Sequence, residues 1–298
     1  MKILLLGKNG QLGWQLQRAL LPLGEVITLD RTNRSSLCGD LSNLDGLKQT
    51  IHTLDPQIIV NAAAYTAVDK AESEPELARL INAQAPEVLA REAAALGSLL
   101  VHYSSDYVFD GSGNKPWQES DPAAPLNHYG QSKLEGEQAI QASGCRHLIF
   151  RTSWIYSTYG NNFAKTVIRL AREREVLHIV NDQIGVPTNA ATLADITAHA
   201  LRTALQLPEV NGLYHVAPQG EVSWYDYANF VIKEAQDLGE VFQVQNIVPI
   251  SSADYVTPAM RPYNSRLDTS KFSDTFSLRL PYWECEMTRV LKEILLCS

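Results

Sequence analysis

Residues 3–13 read Ile3-Leu4-Leu5-Leu6-Gly7-Lys8-Asn9-Gly10-Gln11-Leu12-Gly13, and this stretch decides the fold. Four consecutive aliphatic residues mark a strand buried on both faces, as in a parallel sheet. Three glycines follow at intervals of three, and Leu12, Leu16, Ala19 and Leu20 then take up helical spacing over Gln11 to Leu21. In α/β proteins a strand–loop–helix unit of this kind holds a diphosphate. The first glycine allows the tight turn, the second lets phosphate approach the backbone, and the third lets helix and strand pack closely. The helix N-terminus adds a favourable field for the negative charge. The spacing is G-x-x-G-x-x-G, not the commoner G-x-G-x-x-G. Glycines serving turn geometry alone are the competing reading, and the strand–loop–helix context favours a nucleotide. Gly7, Gly10, Gln11, Leu12 and Gly13 are therefore candidate cofactor contacts.

Working outward, strand patterns recur at Glu25–Leu29, Gln57–Asn61, Leu99–Tyr103 and Leu148–Arg151. Helical patterns separate them. One covers 43–54 with Ser42 placed to cap it. Another covers Pro86–Leu96, with proline in its first turn and Gly97 as its stop. A third carries Tyr129 and Lys133 and continues through Leu134–Ala142. The alternation predicts an α/β fold, a doubly wound parallel sheet of Rossmann type, over residues 1–153. After residue 154 the rhythm loosens into helical patterns at Phe163–Arg172, Leu193–Leu205, Trp224–Ala235 and Glu286–Leu295, with Pro and Gly clustered at Gly185–Pro187, Pro258–Pro262 and Pro281. These predict a second, smaller, mostly helical substrate-binding region over 154–298, discontinuous because elements of the first domain return near 176–217.

The 298 residues suffice for one large domain or two moderate ones, and 45% hydrophobic with 19% charged residues is ordinary for a soluble globular chain. A net charge of −8 argues against a nucleic-acid footprint. Cys38, Cys145, Cys285 and Cys297 form no Cys-x-x-Cys pair, which suggests a reducing compartment. Ile3–Leu6 is too short for a signal-peptide core, and no segment approaches the ~20 apolar residues of a membrane span. The expectation is a cytoplasmic protein.

The chemistry is suggested by Tyr129-Gly130-Gln131-Ser132-Lys133. On a helix, residues four apart share a face. An ammonium beside a phenol stabilises the phenolate and lowers its pKa from about 10, giving the proton donor that hydride transfer to a carbonyl requires. Strand four ends in Tyr103-Ser104-Ser105-Asp106, at the sheet edge where doubly wound folds bind ligands. In this reading Tyr129 protonates the carbonyl oxygen, and Lys133 lowers the Tyr129 pKa and holds the nicotinamide ribose. Ser104 or Ser105 polarises the carbonyl, with Ser105 preferred on motif position. At the end of strand two, Asp30 suits the ribose hydroxyls of NADH, whereas Arg31 suits the 2′-phosphate of NADPH; solvated strand-end residues are the alternative for both.

Other residues invite blander readings. Asp69, Glu72 and Glu74 read as the capped start of a helix rather than as a metal cluster; His102 reads as a satisfied core residue, and His128 receives no role. Trp154 follows Ser153 and fits a substrate wall about as well as a core position, and Trp224, Tyr225 and Tyr227 read as core.

Taken together these motifs resemble the extended short-chain dehydrogenase/reductases and, among them, the dTDP-4-dehydrorhamnose reductases. The resemblance rests on Gly7–Gly13, Asn61–Glu72, Ser104–Phe109, Tyr129–Lys133, Arg151–Trp154, Asn181–Thr188 and Arg261–Ser265, and so runs through nearly the whole chain. It implies NADPH- or NADH-dependent reduction of the C4 keto group of dTDP-4-dehydro-L-rhamnose to dTDP-L-rhamnose, a sugar donor for the cell envelope and its lipopolysaccharide. It implies that Ser105, where the family usually has Thr, acts with Tyr129 and Lys133. It also implies that Asp40 and Leu41 meet the adenine and that Ala63, Ala64 and Tyr65 line the nicotinamide side. Tyr103 would join the cofactor contacts, and Ser105, Asp106 and Trp154 would contact the nucleotide-sugar substrate. Some members form dimers bridged by Mg²⁺; the matching positions here hold Gln15 and Ala191, with only Asp195 kept, which speaks against such a bridge because Mg²⁺ needs oxygen ligands. A homodimer without metal stays open. Two rival readings share the scaffold: an epimerase or dehydratase that retains NAD⁺, and a non-enzymatic cofactor-binding subunit resembling the regulatory subunit of methionine adenosyltransferase.

Overall fold

The computed structural model describes residues 1–32 and 36–296; Cys297 lies outside the described residues. In its first half strands and helices alternate: β1 (Lys2–Leu6), α1 (Gln11–Leu20), β2 (Glu25–Leu29), α2 (Leu44–Leu54), β3 (Ile58–Asn61), α3 (Val68–Ala71), α4 (Pro75–Arg79), α5 (Ala85–Leu96), β4 (Leu99–Ser105), α6 (His128–Ala142) and β5 (Arg146–Thr152). The second half holds β6 (Ile155–Tyr156), α7 (Phe163–Glu173), β7 (Val176–Val180), β8 (Ile184–Gly185), β9 (Thr188–Asn189), α8 (Ala190–Gln206), β10 (Gly212–His215), β11 (Val222–Ser223), α9 (Trp224–Asp237), β12 (Asn246–Ile250), α10 (Ser270–Phe276) and α11 (Trp283–Leu296).

A six-stranded parallel sheet runs in the order β10-β5-β4-β3-β1-β2. The order reverses between β1 and β3, and a doubly wound sheet opens its ligand crevice at such a point. The pleat explains why the strands are continuous apolar runs: Ile3, Leu5, Val60 and Val101 face α1 and α8, while Leu4, Leu6, Ile59 and Leu100 face α2 and α5. Each such side chain, removed fully from water, stabilises by about 1.5–3 kcal/mol, enough to fix strand register, since a slip of one residue would exchange the two faces.

The second half supplies a third core of Tyr156, Val167, Tyr227, Val231, Trp283 and Met287. It also returns α8 and β10 to the first, where β10 lies parallel to β5 and α8 packs on α1. By contrast β7, within the stretch expected to return, pairs with β12 away from the large sheet.

Two local expectations need correction. Asn43, not Ser42, caps α2: its side chain accepts from the Gly46 N–H, while the Ser42 hydroxyl donates to Asp40. Strand β4 extends two residues past Tyr103, so Ser104 and Ser105 are strand residues with buried side chains. Among the described residues no helix is long and apolar enough to cross a membrane.

Candidate active site

Between the carboxyl ends of the strands and the second half of the chain lies a cleft of about 790 Å³. The glycine loop forms one wall. Its first glycine sits in the left-handed region (φ 87°), with the Ala62–Ala63 backbone within 3 Å of where a Cβ would project. At Gly13 a Cβ would fall 2.0 Å from the Gly7 carbonyl oxygen, so this glycine serves the packing of α1 on the loop and does not line the cleft. Gly10 does line it, and it caps α1 without any side-chain hydrogen bond, leaving the first N–H groups of the helix to an incoming anion. A diphosphate fits this cradle.

The sequence-predicted residues divide here. Gly7, Gly10, Gln11, Leu12, Arg31, Asp40, Leu41, Ala63, Ala64 and Tyr103 line the cleft, and so do Ser105, Asp106, Tyr129, Lys133 and Trp154. Asp30 and Tyr65 do not. The Asp30 carboxylate is occupied by the Asn9 amide and by the backbone and hydroxyl of Thr32, and Asn9 takes a place on the cleft wall instead. Tyr65 turns away to donate to Glu74 (2.7 Å), while its backbone is held by the Asn82 side chain. The reading of Asp30 as a ribose ligand thus meets a side chain already spent, whereas Arg31 reaches the cleft.

At the other end, Tyr129 and Lys133 stand one turn apart on α6. Asn127 caps this helix by accepting from the Gly130 N–H (2.8 Å) and anchors it by donating to the Met260 carbonyl. The α6 surface lies against backbone: a Cβ at Gly130 would fall 2.1 Å from the Tyr107 carbonyl oxygen. Farther along, Glu137 accepts two hydrogen bonds from Arg151 on β5 (2.9 and 2.6 Å), a buried bidentate pair that fixes α6 against the sheet. Burial brings the Lys133 ammonium down to about 8, and it donates to the Tyr103 carbonyl (2.5 Å). Tyr129 is pushed up to about 12, chiefly by burial, against the opposing pull of a Ser105 hydrogen bond. The depression expected from Lys133 is therefore reversed. The ammonium is engaged by a carbonyl, and the charge that acts on the phenol is the Asp106 carboxylate, which raises it further. Burial also raises Asp106 to about 6, although Ser105 donates to it (2.9 Å).

Several buried polar atoms at this end lack protein partners, among them Ser104 Oγ, Thr152 Oγ1 and one Asp106 oxygen, all on cleft-lining residues. Buried donors and acceptors left so are completed by water, an ion or a ligand where the site admits one. Two aromatics that sequence reasoning did not place at the site also face it. Tyr107 packs edge-on to Tyr129 (5.5 Å, 80°), and Trp224 stacks on Trp154 (3.6 Å, 17°). Trp154 holds a left-handed backbone (φ 47°), and a Cβ at Gly185 would fall 2.8 Å from its indole. Tyr227, as expected, is core.

The remaining candidates disperse. Asp69 pairs with Arg261 (2.8 Å), Glu72 accepts from the His128 N–H (2.9 Å) at the start of α6 and Glu74 binds Tyr65, so the three do not cluster, and none caps its own helix through its side chain. His102 is buried against Asn61 (3.2 Å), with Nε2 unpartnered. Asp195 is taken by Arg18 (2.7 Å).

Fold and site together define a nucleotide-dependent oxidoreductase of the short-chain dehydrogenase/reductase type. Residues 1–296 match the family model described as RmlD substrate binding domain. The chain is 53% identical over 294 residues to the dTDP-4-dehydrorhamnose reductase of Escherichia coli K12, covering 99% of this chain and 98% of that one, and equally so to that of Salmonella typhimurium LT2. A crystal structure of the Bacillus anthracis Ames dTDP-4-dehydrorhamnose reductase in complex with NADP superposes with a TM-score of 0.87 at 36% identity, covering 98% of this chain and 99% of that one. The chain belongs to the dTDP-4-dehydrorhamnose reductase family.

Proposed function

We propose that this chain reduces the C4 keto group of dTDP-4-dehydro-L-rhamnose to give dTDP-L-rhamnose, using NADPH in preference to NADH, with Tyr129 as proton donor. The observation that carries the reading is the meeting of Ser105, Tyr129 and Lys133 in the cleft that also holds the glycine loop. When bound, the nicotinamide supplies the hydride. The chain's own residues supply the rest. Tyr129, held up to about 12, is protonated throughout the neutral range and has a proton to give to the nascent alkoxide. In the resting site the single Ser105 proton is donated to Asp106; turned to Tyr129, which is also within its reach, the same proton stabilises the phenolate that remains. Lys133, near 8, is mostly cationic at pH 7 and lines the same cleft, where its ammonium, held by the Tyr103 carbonyl, is placed to bind the nicotinamide ribose. Trp154 and Trp224 form an apolar wall for the sugar, and Asp106 presents an unpartnered oxygen to its hydroxyls. Arg31 on the cleft wall and the occupied carboxylate of Asp30 favour a 2′-phosphate. The free thiols and the absence of an apolar spanning helix among the described residues accord with a cytoplasmic enzyme.

The test is to follow NADPH and NADH absorbance with dTDP-4-dehydro-L-rhamnose generated in situ. Rapid oxidation that depends on the keto sugar, faster with NADPH at limiting cofactor, is the expected result. No oxidation by folded protein with either cofactor overturns the reading, and equal specificity for the two cofactors overturns the preference. Stoichiometric NAD⁺ in the purified protein would instead point to an enzyme that retains its cofactor.

A further inference from the structure

The loop Ser157–Asn162, between β6 and α7, serves nothing described so far, yet Gly160 and Asn161 line the cleft beside the glycine loop. The loop is stiff. Asn162 caps α7 and donates to the Ser157 carbonyl (2.7 Å), while Lys165 donates to the carbonyls of Thr158 (2.5 Å) and Gly160 (3.0 Å). Its tie to the rest of the molecule runs through the first turns of α1. The Gln11 amide is engaged at both ends, accepting from Asn162 (3.1 Å) and donating to the Ile155 carbonyl (3.4 Å), and Gln15 reaches Ser157 at 3.5 Å. These last two bonds are long and weak. The seam also carries an aromatic contact: Trp14 and Tyr159 stack in parallel, centroids 4.5 Å apart and 5° from coplanar. Trp14 is 48% exposed, on the opposite side of α1 from the buried Leu12 and Leu16, so core packing does not account for it.

We propose that Ser157–Asn162 is a strap over the diphosphate of the dinucleotide, held shut by the Trp14–Tyr159 stack, and that the Gln11 side chain latches this strap and is not itself a phosphate ligand. The inference rests on the dinucleotide reading of the cleft. A rigid loop joined to α1 by one stack, one hydrogen bond of ordinary length and one long one opens as a unit. A reductase that exchanges its cofactor at each turnover needs such a closure, firm enough to hold the diphosphate and weak enough to release it.

Dissociation of NADPH, measured by stopped-flow displacement, tests this in Trp14→Ala, Tyr159→Ala, the double variant and the conservative Tyr159→Phe. One stacked pair accounts for about three- to tenfold in the dissociation rate. Each alanine variant should show that increase, the double variant no more than the larger single, and Tyr159→Phe close to none. The Kd of adenosine 2′-monophosphate, which lacks the diphosphate, should be unchanged throughout. Unchanged NADPH dissociation in both alanine variants overturns the strap, as does an equal loss for adenosine 2′-monophosphate, which would mean general distortion. Wild-type protein that binds neither NADPH nor NADH overturns the strap together with the dinucleotide site. Keto-sugar turnover that fails while NADPH dissociation follows the expected pattern strikes the substrate reading alone and supports the strap.

Discussion

The two ends of the cleft treat their polar groups in opposite ways. At the adenosine end most side chains are already matched within the protein: Asp30 with Asn9 and Thr32, Asp40 with Ser42, Gln11 with Asn162. At the reacting end Ser104, Thr152 and Asp106 keep buried atoms unpartnered, and burial shifts Asp106, Tyr129 and Lys133 alike. The first end is a finished shape that recognises a ligand by backbone and contour. The second holds desolvated groups whose remaining partners, in the proposed reaction, come from the reactants. Dry polar groups strengthen electrostatic interactions with a developing charge, and they cost stability until that charge arrives.

The contrast breaks most visibly at Tyr129. Tyr129→Phe removes one hydroxyl from the reacting end and leaves the ring packed on Tyr107. NADPH affinity should stay within about twofold while kcat falls about 10²–10⁴-fold, the usual worth of a positioned acid. Steady-state kinetics and a fluorescence titration check the two halves, and a kcat within about tenfold of wild type would remove Tyr129 as the acid.

The same contrast governs how much the sequence revealed. β1 and its glycine loop were legible because burial on both faces and a backbone that must approach a phosphate leave local marks, four aliphatics and spaced glycines. Ser105, Tyr129 and Lys133 were legible as residue types whose chemistry needs a particular spacing. What escaped depends on contacts far apart in sequence. Asn9 occupies Asp30 across 21 residues, and no local pattern announces which of Asp30 and Arg31 is left for the cofactor. Trp224 looked like core because α9 is amphipathic, but it is the first residue of that helix, and the end of the helix, not its stripe, meets Trp154. The return of β10 to pair with β5 follows from a sheet edge that sequence periodicity does not show. The expected lowering of Tyr129 by Lys133 is absent for a physical reason as well: at i and i+4 two side chains can touch, but here the buried ammonium donates to a main-chain carbonyl and burial dominates the phenol.

A pH profile sharpens the comparison next. With Lys133 near 8, its ammonium is lost as pH rises through that value, and kcat/KM for keto-sugar reduction should be level near pH 7 and fall about tenfold per unit well above 8. Lys133→Arg keeps its charge to much higher pH, so whatever activity it retains should lose that basic limb. A limb that persists unchanged in Lys133→Arg would assign the titration to another group.

At the adenosine end, Arg31→Ala should weaken NADPH about tenfold and leave NADH within about twofold, because only the 2′-phosphate gains from the guanidinium. Titration of both cofactors checks it. Parallel losses would mean that Arg31 supports the shared adenosine, not the phosphate.

The smallest effect tests the cost of the dry end directly. Asp106 is raised to about 6 in the folded protein, above the ordinary carboxyl value of 3.8. Above about pH 6 the carboxyl is ionised in both folded and unfolded chains, and the folded one bears the burial penalty. Between 3.8 and 6 the folded chain alone holds the proton, and below about 4 both hold it and the penalty is gone. The shift of about two units bounds the penalty at about 3 kcal/mol, and a buried amide in its place recovers only part of that. Asp106→Asn should therefore raise unfolding free energy by about 1 kcal/mol at pH 8, with the gain shrinking toward zero at pH 4, while kcat/KM falls because the sugar loses a charged acceptor. Urea unfolding at the two pH values separates this from simple repacking, which would change stability equally at both. An equal change would mean that Asp106 is satisfied in the resting fold and that the two ends of the cleft differ less than their hydrogen bonds suggest.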